Sequence, residues 1–201
     1  TDLPLVECAD YMETSPLGRA EWIRFYGMLV GREKQADSLF HQVETKYNRL
    51  KNLAQKAHHK PSLMVDMING TAWYVPGGNS TIGRIYQDAG ADYLFRNYKE
   101  RGSVRLNIES VLERAEHAEF WFIKYGRSQD YTYSTLKLEN EKYSRFMPFL
   151  KKNIYGCNTF RIPFYEKEPF RPDLYLADII HILHPELLPR HQQHFFKAFD
   201  E

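Results

Sequence analysis

At Pro61 the hydrophobic pattern changes period, and few folds accommodate what lies on its two sides. Upstream, residues 17–57 read as one long helical segment. Ser15-Pro16 supplies its start, an N-cap residue followed by a proline in the first turn. Trp22, Ile23, Phe25, Tyr26 and Leu29 make an apolar first part. After Gly31, Ala36, Leu39, Phe40, Val43, Tyr47, Leu50 and Leu53 recur at spacings of three and four, which builds one apolar stripe. Gly27 and Gly31 form GxxxG among charged neighbours, so a kink or break is expected there rather than a membrane dimer motif.

Downstream the pattern alternates. Ser62–Ile68 predicts a strand, 69–80 an aromatic, glycine-rich loop, and 81–89 a helix capped by Ser80 and stopped by Gly90. Asn107 caps a predicted helix over 108–117. The apolar run 119–124 predicts a buried strand, 132–151 helical pieces, 153–157 a further strand, and Pro172 opens a last helix that ends before Pro185. Alternating strands and helices argue for a mainly parallel sheet with helices on its faces: an α/β fold, a three-layer α/β/α lobe. The preceding helix looks like a strut rather than a sheet cover. Residues 3–8 read as a short strand.

With 201 residues the chain holds one well-buried domain rather than two. Its 27 basic and 26 acidic residues leave no electrostatic footprint for nucleic acid. No stretch is long and apolar enough to span a membrane. Cys8 and Cys157 are too few for a disulfide framework. The chain opens at Thr1 with no initiator Met, as expected of a processed or truncated product. Aromatics, at 15% with 14 Tyr, favour a binding surface, because a tyrosine hydroxyl wants a partner.

In an open α/β sheet, ligands bind at the carboxyl ends of the strands. Three loops are expected on that edge: 69–80 with Trp73 and Tyr74, 125–131 with Tyr125 and Arg127, and 158–170 with Asn158, Arg161 and Tyr165. Aromatic walls with a few polar groups suit a bulky, partly flat ligand. Gly77-Gly78-Asn79-Ser80 lacks the P-loop lysine and reads as an ordinary capped turn. His181/His184 and His191/His194 are spaced three apart on helix faces, but no carboxylate or cysteine completes a metal set, so none is assigned. There is no GxSxG elbow, and no histidine stands out as a partner for Cys157, so no catalytic residue is assigned.

The stretches Asp10–Ile23, Gly31–Ala36, Gly70–Ser80, Asp88–Asp92, Tyr155–Asn158 and Phe170–Asp173, taken in order, resemble periplasmic substrate-binding proteins of ABC importers, the iron-complex and cobalamin class, in Bacteroidetes-type form. The resemblance implies two α/β lobes joined by a long helix, with the ligand between them. On that plan 1–16 ends a first lobe missing from this chain, 17–60 is the connecting helix and its continuation, and 61–201 is the second, ligand-binding lobe. It implies capture of a ferric siderophore, haem or cobalamin through its organic shell, with no protein metal ligands and no cofactor of the protein's own. It implies a periplasmic protein, lipid-anchored at full length, that delivers its cargo to an inner-membrane permease. Glu109 matches the position where family members offer a carboxylate to permease arginines; the residue also suits the first turn of a helix. Trp73, Tyr74, Tyr125 and the 158–166 loop match cleft-facing loops, and Arg127 and Arg161 suit an anionic chelate. Two alternatives stand beside this. A chelatase-like enzyme needs a pocket histidine with a carboxylate neighbour. A protein-interaction module needs an exposed apolar patch on 17–57, and a dimer formed through such a patch would reflect truncation.

Overall fold

The computed structural model describes residues 5–201. Ser15 and Pro16 open α1 (Pro16–Leu29) as the sequence predicts, with the serine oxygen accepting from the Gly18 amide. The helical segment read over 17–57 is two helices, broken where the Gly27/Gly31 pair predicts a kink or break. The chain breaks at Gly31, whose φ of +64° is left-handed backbone that glycine adopts without steric cost, and resumes as α2 (Glu33–Ala54). The two helices fold against each other, and a Cβ on Gly27 would stand 2.4 Å from that of Ala36. GxxxG thus works at both ends: Gly31 turns the chain and Gly27 lets α2 approach.

Nor is α2 a free strut. Its buried stripe is Ala36, Phe40, Val43, Tyr47, Leu50 and Ala54. Phe40 and Val43 pack with Ala20 of α1, while Tyr47, Leu50 and Ala54 belong to the main core. The helix therefore continues as part of the lobe's cover.

Beyond Pro61 the elements are β1 (Ser62–Val65), β2 (Ile68–Asn69), β3 (Ala72–Pro76), α3 (Thr81–Asp88), β4 (Asp92–Tyr93), β5 (Ser103–Leu106), α4 (Ile108–Ala115) and β6 (Phe120–Tyr125). There follow α5 (Tyr133–Glu139), a 3-10 turn over Glu141–Arg145, α6 (Met147–Leu150), β7 (Ile154–Asn158), α7 (Phe164–Lys167), α8 (Pro172–Leu183) and β8 (Lys197–Ala198). The main sheet has the order β4-β1-β6-β7-β8, parallel except for β8. The expected α/β architecture with a mainly parallel sheet is present. A second sheet, β2-β3-β5, is antiparallel. It replaces the expected loop at 69–80, with the chain turning at Gly70 (φ +63°). The predicted strand at 3–8 lies partly outside the described residues, and 5–8 are irregular with Leu5 exposed.

Side chains alternate across β6. Trp121 stacks on Trp73 with ring centroids 5.7 Å apart and meets Tyr143 and Phe146. Phe122 meets Phe196, which stacks on Tyr175 of α8. Asp178, fully buried on α8, accepts from the amides of His194, Phe195 and Phe196 and pairs with His191 Nε2 at 2.7 Å. A buried charge needs such saturation, and here it ties the C-terminal segment to the core. Of the i, i+3 histidines, His191 and His194 join this network and His181 bonds the Leu188 carbonyl, while His184 is buried with its Nε2 unpartnered. No group of three metal-ligating side chains is found among the described residues.

Candidate ligand-binding cleft

The carboxyl ends of β1 and β6 open into a cleft of about 650 Å³, within the range of small-molecule sites. Its walls come from the β1–β2 connection, the start of α3, residues 101–103, the 124–127 turn and α7. Tyr11, Glu13 and Arg19 of the N-terminal arm close one side.

At the floor stands an ion pair. Asp66 follows β1 with φ +59°, left-handed backbone that is unusual for a residue other than glycine. Three bonds hold it there: its amide donates to the Phe122 carbonyl, its own carbonyl accepts from the Trp121 indole, and its carboxylate accepts from Lys124 Nζ at 2.7 Å. The pair's side chains keep only 17% and 14% exposure. Burial alone would lower the ammonium's pKa, but the Asp66 carboxylate outweighs it and holds Lys124 above its ordinary value.

Glu168, at the end of α7, is 2% exposed and lines the same cleft. Burial pushes its carboxyl up to about 7, against the opposing pull of Arg19 and Lys124. Arg19 approaches it at 3.7 Å and shares itself with Asp10 at 3.4 Å. Glu168 Oε1 has no hydrogen-bond partner.

The expected site residues divide into three groups. Tyr74, Tyr125, Arg127 and Tyr165 line the cleft. Tyr74 and Tyr165 are 42% and 66% exposed. Arg127 is already engaged, 3.1 Å from Glu139 and over the Tyr131 ring. Asn158 and Arg161 stand behind the rim. Asn158, nearly buried, donates to the Arg127 carbonyl and Asp130 and accepts from the Arg127 and Phe160 amides, so it splices two loops together. Arg161 is spent on Asp130 and the Ser128 carbonyl. Trp73 is a correction: it is fully buried, its indole donates to the Val65 carbonyl, and it offers the cleft no surface. Strand alternation decides this, since β3 turns Trp73 inward and Tyr74 outward.

Glu109 lies elsewhere, in the first turn of α4, where Lys142 at 2.7 Å holds its carboxyl below the ordinary range. The Gly77–Ser80 turn is structural. Gly77 and Gly78 press against the Glu100 and Arg96 backbones, and the amides of Gly77, Gly78 and Ser80 are spent inside the chain.

Lys124, Asp66 and Glu168 were not singled out from sequence. A signal existed for two of them: each is the charged residue that interrupts an apolar strand run, Leu-Met-Val-Asp66 and Phe-Ile-Lys124. No histidine lines the cleft among the described residues. Burial pushes the Cys157 thiol up to about 12, far from a thiolate at neutral pH.

An α/β lobe with a large opening at the carboxyl edge of its sheet, tyrosine-walled and floored by an ion pair, is a ligand-binding domain in class. The chain belongs to the periplasmic binding protein family, whose model matches residues 5–155. It is 29% identical over 195 residues to an uncharacterized lipoprotein of Methanocaldococcus jannaschii, covering 96% of this chain and 45% of that relative. The chain thus spans about half the length of that relative. Its fold resembles the TroA-like periplasmic binding protein FepB of Veillonella parvula, with a TM-score of 0.70 at 15% identity over 94% of this chain and 63% of that one. It also resembles IsdE of Staphylococcus aureus complexed with heme, with a TM-score of 0.67 at 17% identity over 85% of this chain and 65% of that one.

Proposed function

We propose that this chain is the second lobe of the solute-binding component of an ABC importer. It captures a metal chelate (ferric siderophore, haem or cobalamin) against a facing lobe and delivers it to a membrane permease. The observation that carries the proposal is the cleft itself, where Tyr74, Tyr125 and Tyr165 line an opening at the edge where α/β sheets bind ligands. Family membership and the heme complex of the IsdE neighbour support the cargo class. Arg127 borders the site; Asn158 and Arg161 serve it by holding the 125–131 and 158–163 loops in register.

Glu109 is the proposed permease contact. Its side chain is 66% exposed, and its ion-pair partner among the described residues, Lys142, is itself half exposed, so a permease arginine can replace it at little cost. The lipoprotein relative supports a periplasmic, lipid-anchored setting for the full-length protein. A specific observation favours a second reading, the interaction module: Met28, Leu29 and Val30 are all more than half exposed where α1 ends.

Equilibrium dialysis of the chain against haemin, cyanocobalamin, ferrichrome and ferric enterobactin tests the capture role. Saturable binding of one probe, lost in a Tyr74→Ala/Tyr165→Ala variant, is expected. If no probe binds either this chain or a two-lobed form, the chelate assignment is wrong.

A further inference from the structure

The cleft presents cations, but those at its floor and walls are not free positive charge. Lys124 is held by Asp66 at 2.7 Å, Arg127 by Glu139 at 3.1 Å, and Arg19 by Asp10 and Glu168. Of the cleft's cations, only Arg101 on the lip has no acidic partner among the described residues. An anionic ligand group reaching the floor would meet the Asp66 carboxylate beside Lys124. In a partly desolvated site such like-charge contacts are costly. The pair itself offers something different. Carboxylate oxygens that accept and ammonium hydrogens that donate stand side by side, fixed by the left-handed backbone of Asp66 and the Trp121 bond to its carbonyl. That pattern is complementary to a neutral group carrying one donor and one acceptor, as a carboxamide does.

Resting on the proposed capture role, we infer that the Asp66–Lys124 pair is the specificity determinant of this lobe: it seats an uncharged ligand group bearing a hydrogen-bond donor and an acceptor, of the carboxamide class, and discriminates against anionic chelates.

The test is a calorimetric titration of the full chain with net-neutral, carboxamide-bearing cyanocobalamin and with strongly anionic ferric enterobactin, at low and high salt, repeated on Asp66→Asn. Asparagine tolerates left-handed backbone better than other non-glycine residues, so the variant keeps the turn while releasing the Lys124 charge. The expected result is at least a roughly tenfold preference for cyanocobalamin with little salt dependence, because no net charge is being neutralised. In Asp66→Asn the preference should shrink or invert, and binding of the anionic probe should become salt-sensitive. Equal binding of the two probes, preference for the anionic one, or a preference untouched by Asp66→Asn overturns this inference and leaves the capture role standing. Binding of neither probe overturns this inference, and it overturns the capture role as well only if haemin and ferrichrome also fail to bind this chain and a two-lobed form.

Discussion

Trp73 and Tyr74 are neighbours on one strand, and they belong to different chemistries. Trp73 is fully buried, stacked on Trp121, with its indole bonded to a carbonyl. Tyr74 is 42% exposed on the cleft wall. The same contrast separates the faces of the main sheet from its carboxyl edge. On the faces, aromatics interlock and a buried charge such as Asp178 is saturated with donors. At the edge, tyrosines stay open, Asp66 holds a left-handed backbone, and a buried carboxyl oxygen of Glu168 has no partner. The strained backbone of Asp66 and the unmet bond of Glu168 stand where a ligand is expected to act, although among the described residues Lys152 shares the left-handed backbone and Arg24 and His184 bury an unpartnered nitrogen elsewhere.

The contrast can be broken most forcefully at Trp73. Trp73→Ala removes the centre of the Trp121–Tyr143–Phe146 cluster and should cost about 3–5 kcal/mol of stability, read by chemical denaturation. A loss below about 1 kcal/mol would mean that the cluster is not core.

Glu168 sharpens the contrast next. Its folded carboxyl titrates at about 7, above the ordinary 4.5. Between those values the folded state holds the proton that the unfolded state has lost, so stability falls as pH rises through this window and levels off above it. Around the carboxyl stand Arg19 from α1, Lys124 from β6, Tyr47 from α2 and Tyr175 from α8. Glu168→Gln should therefore match the parent chain near pH 4 and exceed it at pH 8 by up to about 3 kcal/mol. Denaturation midpoints across pH decide this; a variant less stable at pH 8 would show that the Arg19 pair outweighs burial.

The smallest effect on stability belongs to the open tyrosines. Tyr74→Ala and Tyr165→Ala should each change stability by less than about 0.5 kcal/mol while weakening ligand binding roughly three- to tenfold. If either destabilises the chain as Trp73→Ala does, the division between face and edge fails.

Much of the architecture was legible in the sequence because its signals are local. Ser15, Ser80 and Asn107 cap the helices they were expected to cap, and Pro172 opens α8. The apolar run at β6 is a buried strand, as expected. The antiparallel β2-β3-β5 sheet was not legible: β2 is two residues long, and its turn is made by Gly70 alone in left-handed backbone, which reads like any loop glycine. β4 and β8 are equally short. The break at Gly31 was legible from the glycines, but the packing of α2 onto the lobe was not, because the contact between Gly27 and Ala36 that folds it back joins two helices. At the site, loop aromatics were found because tyrosine is conspicuous. Asn158 and Arg161 were given ligand roles that their loop contacts take up, and the Asp66–Lys124 pair went unseen because it joins residues 58 apart in sequence.

Hydrogen–deuterium exchange of the chain with and without a saturating binding probe tests the central claim most directly. The account predicts protection confined to cleft-lining segments, 66–69, 74–76, 80–82, 101–103, 124–127 and 164–168, with α2 and α4 unchanged. Protection on the outer face of α2 or around the exposed end of α1, with the cleft segments unaltered, would contradict it and move the binding surface to the helical arm.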